Sequence, residues 1–220
     1  MAVTYDAVSS GVTADGSQTG ITVAHTTGGS ATIAVVGLSF RTLGTLPTNI
    51  AVTYDGVAMT HIATVGGGAA TVTKASLWYI ANPPTGPVNI VASWTNNNWA
   101  AMGIISFNGA AGTVSGTQSY ESGSSSAPTI DITSATGAMV TDVLATAGTS
   151  GTAAGTSSTE RYEVHGSPNQ VSGSGSTEAG ASTVTLDWTM GTDQAVQIGV
   201  SVDDVASGYS EPRTFAVVIH

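Results

Sequence analysis

The chain has 220 residues, with four Lys plus Arg against fourteen Asp plus Glu, a formal charge of −10, no Cys and 28 Gly. Its charged residues amount to 8%, against roughly 25% in an ordinary soluble domain. So few cations cannot neutralise a run of phosphates, so no nucleic-acid partner is expected, and no polybasic segment exists to hold a membrane surface.

The opening Met1, Ala2, Val3, Thr4, Tyr5 and Asp6 has neither a basic n-region nor an apolar h-region, so no signal peptide is expected. No apolar run reaches the ~18 residues of a membrane-spanning helix. Short Val/Ile/Thr/Tyr runs then alternate with Gly, Ser, Asn and Asp clusters to the end of the chain, the mark of strands and turns. Strands are expected over 2–8, 19–27, 30–40, 49–55, 57–65, 73–81, 87–94, 99–107, 113–120, 129–133, 138–147, 159–165, 182–188, 194–203 and 213–219. Asp55-Gly56 predicts a tight hairpin, since both central residues of such a turn need positive φ. Asn82-Pro83-Pro84-Thr85-Gly86-Pro87 predicts a corner, because proline has no N–H for a ladder. The stretches 148–158 and 166–181 are read as long exposed loops at one end of the sandwich. An echo between Ala2–Val8 and Ala51–Val57 reads as two similar strands, not a repeat.

No segment has sustained helical periodicity, so the expected fold is all-β, a jelly-roll-like antiparallel β-sandwich over residues 1–205. Residues 206–220 are set apart as a C-terminal strand or arm. The apolar Thr214, Phe215, Ala216, Val217, Val218, Ile219 and His220 must be paired and covered. They are either the last strand of their own sheet or an arm added to a neighbour's sheet.

Catalytic signals are few. His25, His61, His165 and His220 are scattered and read as solvated or strand-face residues. There is no Gly-x-Ser-x-Gly elbow, no thiol and no phosphate-binding loop with Lys. Asp203 and Asp204 are adjacent on a strand and point to opposite faces, which rules them out as a catalytic pair by themselves. Arg161 and Glu163 share a face and read as a surface ion pair. No enzyme activity and no cofactor are expected. Asp193, Asp203 and Asp204 offer oxygens for Ca²⁺ but lack the spacing of a known loop. Among the aromatic residues Trp94 and Trp188 read as core or inter-sheet plugs, and Trp78 and Tyr79 alternate faces, so at least one of the two is expected in the core. Trp99 follows Asn96, Asn97 and Asn98 and is placed near a loop tip, where a glycan-binding site and a capped strand entry are both open readings.

The run Tyr54-Asp55-Gly56-Val57-Ala58-Met59-Thr60 followed by Leu77-Trp78-Tyr79-Ile80-Ala81-Asn82-Pro83-Pro84-Thr85-Gly86 carries a resemblance. Ile104–Ala110, Gln197–Ser201 and the opening Val3–Gly11 extend it. Together these segments resemble a loosely described group of phage virion proteins and related bacterial sequences built as small jelly-roll-like sandwiches. The likeness covers about residues 1–205, its motifs are structural, and it brings no catalytic residues. It implies a non-enzymatic virion part, assembled in the host cytoplasm: a capsid decoration or cement protein, often trimeric, clamping adjacent major capsid subunits. Contact residues are then expected at the chain ends, Met1 to Asp6 and Thr214 to His220. The alternatives are a carbohydrate-binding fibre or receptor-binding module using Asn96, Asn97, Asn98 and Trp99, and a self-assembling surface or filament protein.

Overall fold

The computed structural model describes residues 1–42, 44–66, 72–148, 151–166 and 170–205. The expected strand over 213–219, and with it Thr214 to His220, lies outside the described residues.

The organising element is a strand that sequence reading divides in two. Residues 87–94 and 99–107 are one strand, β8 (Gly86–Asn108), bent rather than broken at Asn96, whose φ is 69°. Along one edge of β8 run β1 (Thr4–Val12) and then β2 (Gln18–Thr27), from Thr4 opposite Asn108 to Thr27 opposite Gly86. Along the other edge run β3 (Ala31–Arg41) and β4 (Thr48–Tyr54), from Ala31 opposite Asn108 to Tyr54 opposite Ile90. The bend folds the first half of β8 over the second, so one long ribbon makes two facing layers. The first layer holds β2, β4 and β5 (Val57–Ala58) on the early half of β8. The second holds β1, β3, β7 (Thr73–Ala81) and β6 (Thr60–Gly66) on the late half.

The Asp55-Gly56 hairpin is present, with φ of 50° and 77°. The single strand expected over 57–65 instead divides at Met59. Its side chain is buried between the layers, and its N–H still reaches Val52 O at 2.9 Å as the chain crosses from the first layer to the second.

A third layer follows in the order β13 (Thr159–His165), β14 (Ser172–Ala179), β11 (Met139–Thr146), β16 (Asp193–Asp204) and β9 (Ala110–Ser125). A fourth, small sheet of β10 (Thr129–Thr133), β15 (Thr183–Thr189) and β12 (Ala153–Ala154) covers its outer face. Every pairing is antiparallel, and the fold is an all-β sandwich of the jelly-roll-like class.

Layer position shows in the burial of each strand. The outer β10 alternates exposed and buried residues, whereas β3 and β11 are buried along almost their whole length, because a middle sheet has no solvent face. In β3, Ala34, Val36, Leu38 and Phe40 enter the core against the first layer, while Ile33 and Val35 enter the core against the third.

The same logic corrects the loop expected over 166–181. It contains β14, Ser-Gly-Ser-Gly-Ser-Thr-Glu-Ala, an interior strand whose first six residues are all buried. Composition hides it, since Gly and Ser are poor strand formers. The tertiary reason is space. A Cβ on Gly175 would stand 2.3 Å from the Tyr162 ring, and one on Gly173 would stand 2.9 Å from the Ala101 methyl and the Ser39 hydroxyl. The other expected loop, 148–158, contributes the two residues of β12, paired with Trp188 and Thr189.

Candidate functional site

Three buried or half-buried polar clusters account for much of the chain's chemistry-bearing set, and each faces inward. Asp142, in the middle of β11, accepts from Trp188 Nε1 and Gln197 Nε2 at 2.7 Å and from the Ser176 N–H and hydroxyl at 2.8 Å. Burial pushes its carboxyl above the usual range, and these donors oppose the shift. The contact ties the fourth layer to the third.

Of the two readings open for His25, solvated or strand-face, the structure has the second: it is a buried residue of β2. Its Nδ1 lies 3.0 Å from Ser9 Oγ and its Nε2 lies 3.2 Å from Ser106 Oγ, while Ser106 donates to Asp6 Oδ2 at 2.7 Å. Burial pulls the imidazole below its ordinary value, with Asp6 opposing. The order Asp–Ser–His places the hydroxyl between the other two groups, and Ser106 is fully buried, so the arrangement serves packing and not nucleophilic attack.

Glu163 accepts from the Thr152 N–H at 2.7 Å and hydroxyl at 2.9 Å and pairs with His165 at 3.2 Å. Burial raises its pKa, but these donors outweigh it and leave the carboxyl below its usual value. Arg161 is therefore not the partner of Glu163. Its guanidinium lies 3.9 Å above the Tyr5 ring and donates to Thr177 Oγ1 at 2.7 Å.

The N-terminal contact candidates divide. Val3 is buried in the second core, Tyr5 lies under Arg161, and Asp6 is bonded to Ser106 and the Gly28 N–H. Met1, Ala2 and Thr4 are exposed. Asp203 accepts from the Thr113 and Ser115 hydroxyls, and Asp193 stands at the other end of β16, so these carboxylates do not converge. Among the described residues no group of three or more His, Cys, Asp or Glu is placed to hold a metal ion.

A concave surface lies along the link between β3 and β4 and the start of β4. At one end is a hollow of about 500 Å³ lined by Gly16, Thr42, Gly44, Thr45, Asn96, Asn97 and Trp99. The bend in β8 builds it. Asn98 is buried and donates to Asn96 O at 3.1 Å, and Asn96 Nδ2 reaches Leu46 O at 3.2 Å, which pins the link against the bend. Asn96, Asn97 and Trp99 thus meet at one hollow, whereas Asn98 points inward and supports it. One part of the Trp99 ring is covered by Gly16, where a Cβ would stand 2.5 Å from Cε2.

No family model matches the chain, and no curated protein or solved structure matches it significantly.

At the other end is a hollow of about 280 Å³ lined by Pro47, Thr48, Asn49, Ile50, His61, Thr64, Lys74 and Trp78. It opens where β4 of the first layer overlies β6 and β7 of the second. A depression of about 440 Å³ between the two ends shares Thr42, Gly44 and Thr45 with one hollow and Thr48 and Lys74 with the other. Sequence reading misses the Lys74 end. A signal was present: Lys74 is the chain's one lysine, and Lys74, Ser76 and Trp78 fall at alternate positions, hence on one face of a strand.

Proposed function

We propose that the chain is a non-enzymatic structural protein of a virion, a capsid decoration or cement protein that clamps adjacent major capsid subunits. The observation that carries this reading is the four-layer stack, in which two middle sheets are buried on both faces and the polar clusters at His25 and Asp142 bond inward. Such a body is stiff, and its outer faces are left to Thr, Ser and Ala side chains that lose little conformational entropy on packing against a neighbour. The major capsid protein is the proposed partner, and Met1, Ala2 and Thr4 with Thr214 to His220 are the proposed contacts. Native mass by light scattering, followed by sedimentation with undecorated capsids, tests it. A trimer that co-sediments supports the reading, and a protein that stays in the supernatant at saturating concentration overturns it.

The second reading is a carbohydrate-binding fibre or receptor-binding module, favoured by one observation: Trp99, Asn96 and Asn97 line a common hollow. Binding on a glycan array that is lost in Trp99→Ala supports it, and an array without signal removes it.

A further inference from the structure

The hollow at Lys74 has a different composition from the one at Trp99. Its base is aromatic: the His61 and Trp78 rings lie 4.6 Å apart at 51°, and the indole N–H is already engaged by Ser76 Oγ at 2.8 Å. The Thr64 hydroxyl is fixed between His61 Nε2 and Ser76 Oγ, both at 2.8 Å. Ile50 adds an apolar wall. Asn49 and Lys74 keep bonding capacity. The exposed Asn49 side chain, on a residue with φ of 50°, has no hydrogen bond among the described residues. Lys74 Nζ donates to Pro47 O at 2.8 Å, which leaves two of its three N–H donors open, and no carboxylate pairs with it among the described residues. That ammonium is half-buried, and burial pulls its pKa down.

In a chain of net charge −10, a lone half-buried ammonium without a carboxylate partner is the opposite of what general electrostatics would arrange for stability. Its charge has a use if a ligand supplies the anion. One ammonium with two open donors matches one carboxylate, whereas a phosphate dianion would find only one Lys or Arg in the hollow, on a protein of net charge −10. The aromatic base and free amide suit a polyhydroxylated ring, whose C–H face packs on aromatic carbon while its hydroxyls bond to amides. The volume of about 280 Å³ lies just under the ~300–1,000 Å³ general for ligand pockets and suits a single ring.

We propose that this hollow binds a single carboxylated sugar residue, a hexuronate, with Lys74 holding the carboxylate, Asn49 a ring hydroxyl, and the exposed His61 ring, backed by the buried Trp78, the ring face. The inference rests on the carbohydrate reading above and assigns it a second site and a ligand class.

The test is calorimetric titration of the full chain with oligogalacturonate and, separately, with the neutral galactose oligomer, using wild type, Lys74→Met, Asn49→Ala and Trp99→Ala. Lys74→Met keeps the apolar stem, and Asn49 is exposed, so one variant remains informative if the other folds poorly. The expected result is oligogalacturonate binding at least tenfold tighter than the neutral oligomer. It should weaken at least tenfold in Lys74→Met, weaken in Asn49→Ala, and persist in Trp99→Ala. Equal binding of both oligomers, or binding lost only in Trp99→Ala, overturns the uronate site and leaves the carbohydrate reading standing. Absence of uronate binding in wild type overturns the site, and if the glycan array is also silent the carbohydrate reading falls with it.

Discussion

The two inner contacts of the layered stack are built in opposite ways. Between the first and second layers the space is filled by large side chains, among them Phe40, Tyr54, Trp78, Trp94 and Met102. Phe40 and Trp94 meet edge to face with ring centroids 4.9 Å apart. Between the second and third layers the backbones come close around one large ring. Tyr162 lies between Gly103 and Gly175, where added Cβ atoms would stand 1.9 Å and 2.3 Å from its ring carbons. Gly37 faces Val143 in the same contact, with 2.7 Å left for a Cβ. Filling by side chains tolerates exchange among residues of similar volume, whereas close backbone approach tolerates no added carbon at all. The first contact is thus readable as hydrophobicity throughout, whereas the second, which also buries Ile33, Leu77, Phe107 and Ile198, has close approaches that the sequence shows only as missing side chains.

Substitutions should separate the two contacts. The largest effect is expected for Phe40→Ala, which leaves a cavity beside Trp94 and should cost about 4 kcal/mol in denaturant unfolding, with Phe40→Leu recovering most of it. Gly103→Ala should cost about 3 kcal/mol through overlap with Tyr162. In a Tyr162→Ala background the same substitution should cost less than about 0.5 kcal/mol. If Gly103→Ala costs the same with and without the ring, the close-approach account of this contact is wrong.

Asp142→Asn probes the third contact, between the third and fourth layers. An amide nitrogen would face donors now pointing at an oxygen, while removing the buried charge offsets part of that loss, so a net cost of about 2 kcal/mol is expected from urea melts. The smallest effect is a pH slope. The folded-state pKa of His25 lies below its ordinary 6.5, so its contribution is complete above that value and is lost as pH falls through it. Asp142 acts in the opposite sense, since its raised folded pKa makes stability decline as pH rises from 3.8 towards that pKa. Between pH 7.5 and pH 5 the melting temperature of wild type should therefore fall relative to that of His25→Gln; an equal slope in the two would remove His25 as a contributor.

Along the concave link between β3 and β4, legibility was uneven for a similar reason. Trp99 and its Asn neighbours stand out because a run of Asn beside a Trp is unusual in any strand pattern, and the structure groups Asn96, Asn97 and Trp99 while turning Asn98 inward. The Lys74 hollow draws its walls from β4, β6 and β7, which no local pattern joins. The burial of His25 was not legible, because its Ser9, Ser106 and Asp6 partners arrive from two other strands.

By itself the sequence determined the fold class, most strand positions, the Asp55-Gly56 turn and the Pro-rich corner. Those follow from φ preferences, β-branched runs and missing N–H groups, all of which act within a few residues. Tertiary structure alone decided that β8 is one bent strand and that 57–65 divides at Met59 between two layers. It also decided that a Ser/Gly run is an interior strand. Each depends on packing that no local pattern shows: Asn98 turned inward at the bend, Met59 filling the space between layers, and Gly173 of β14 lying against Ala101 and Ser39 of the facing layer. Glycine in a sequence signals permission for a turn or for a close approach, and only the opposing layer tells which of the two is used.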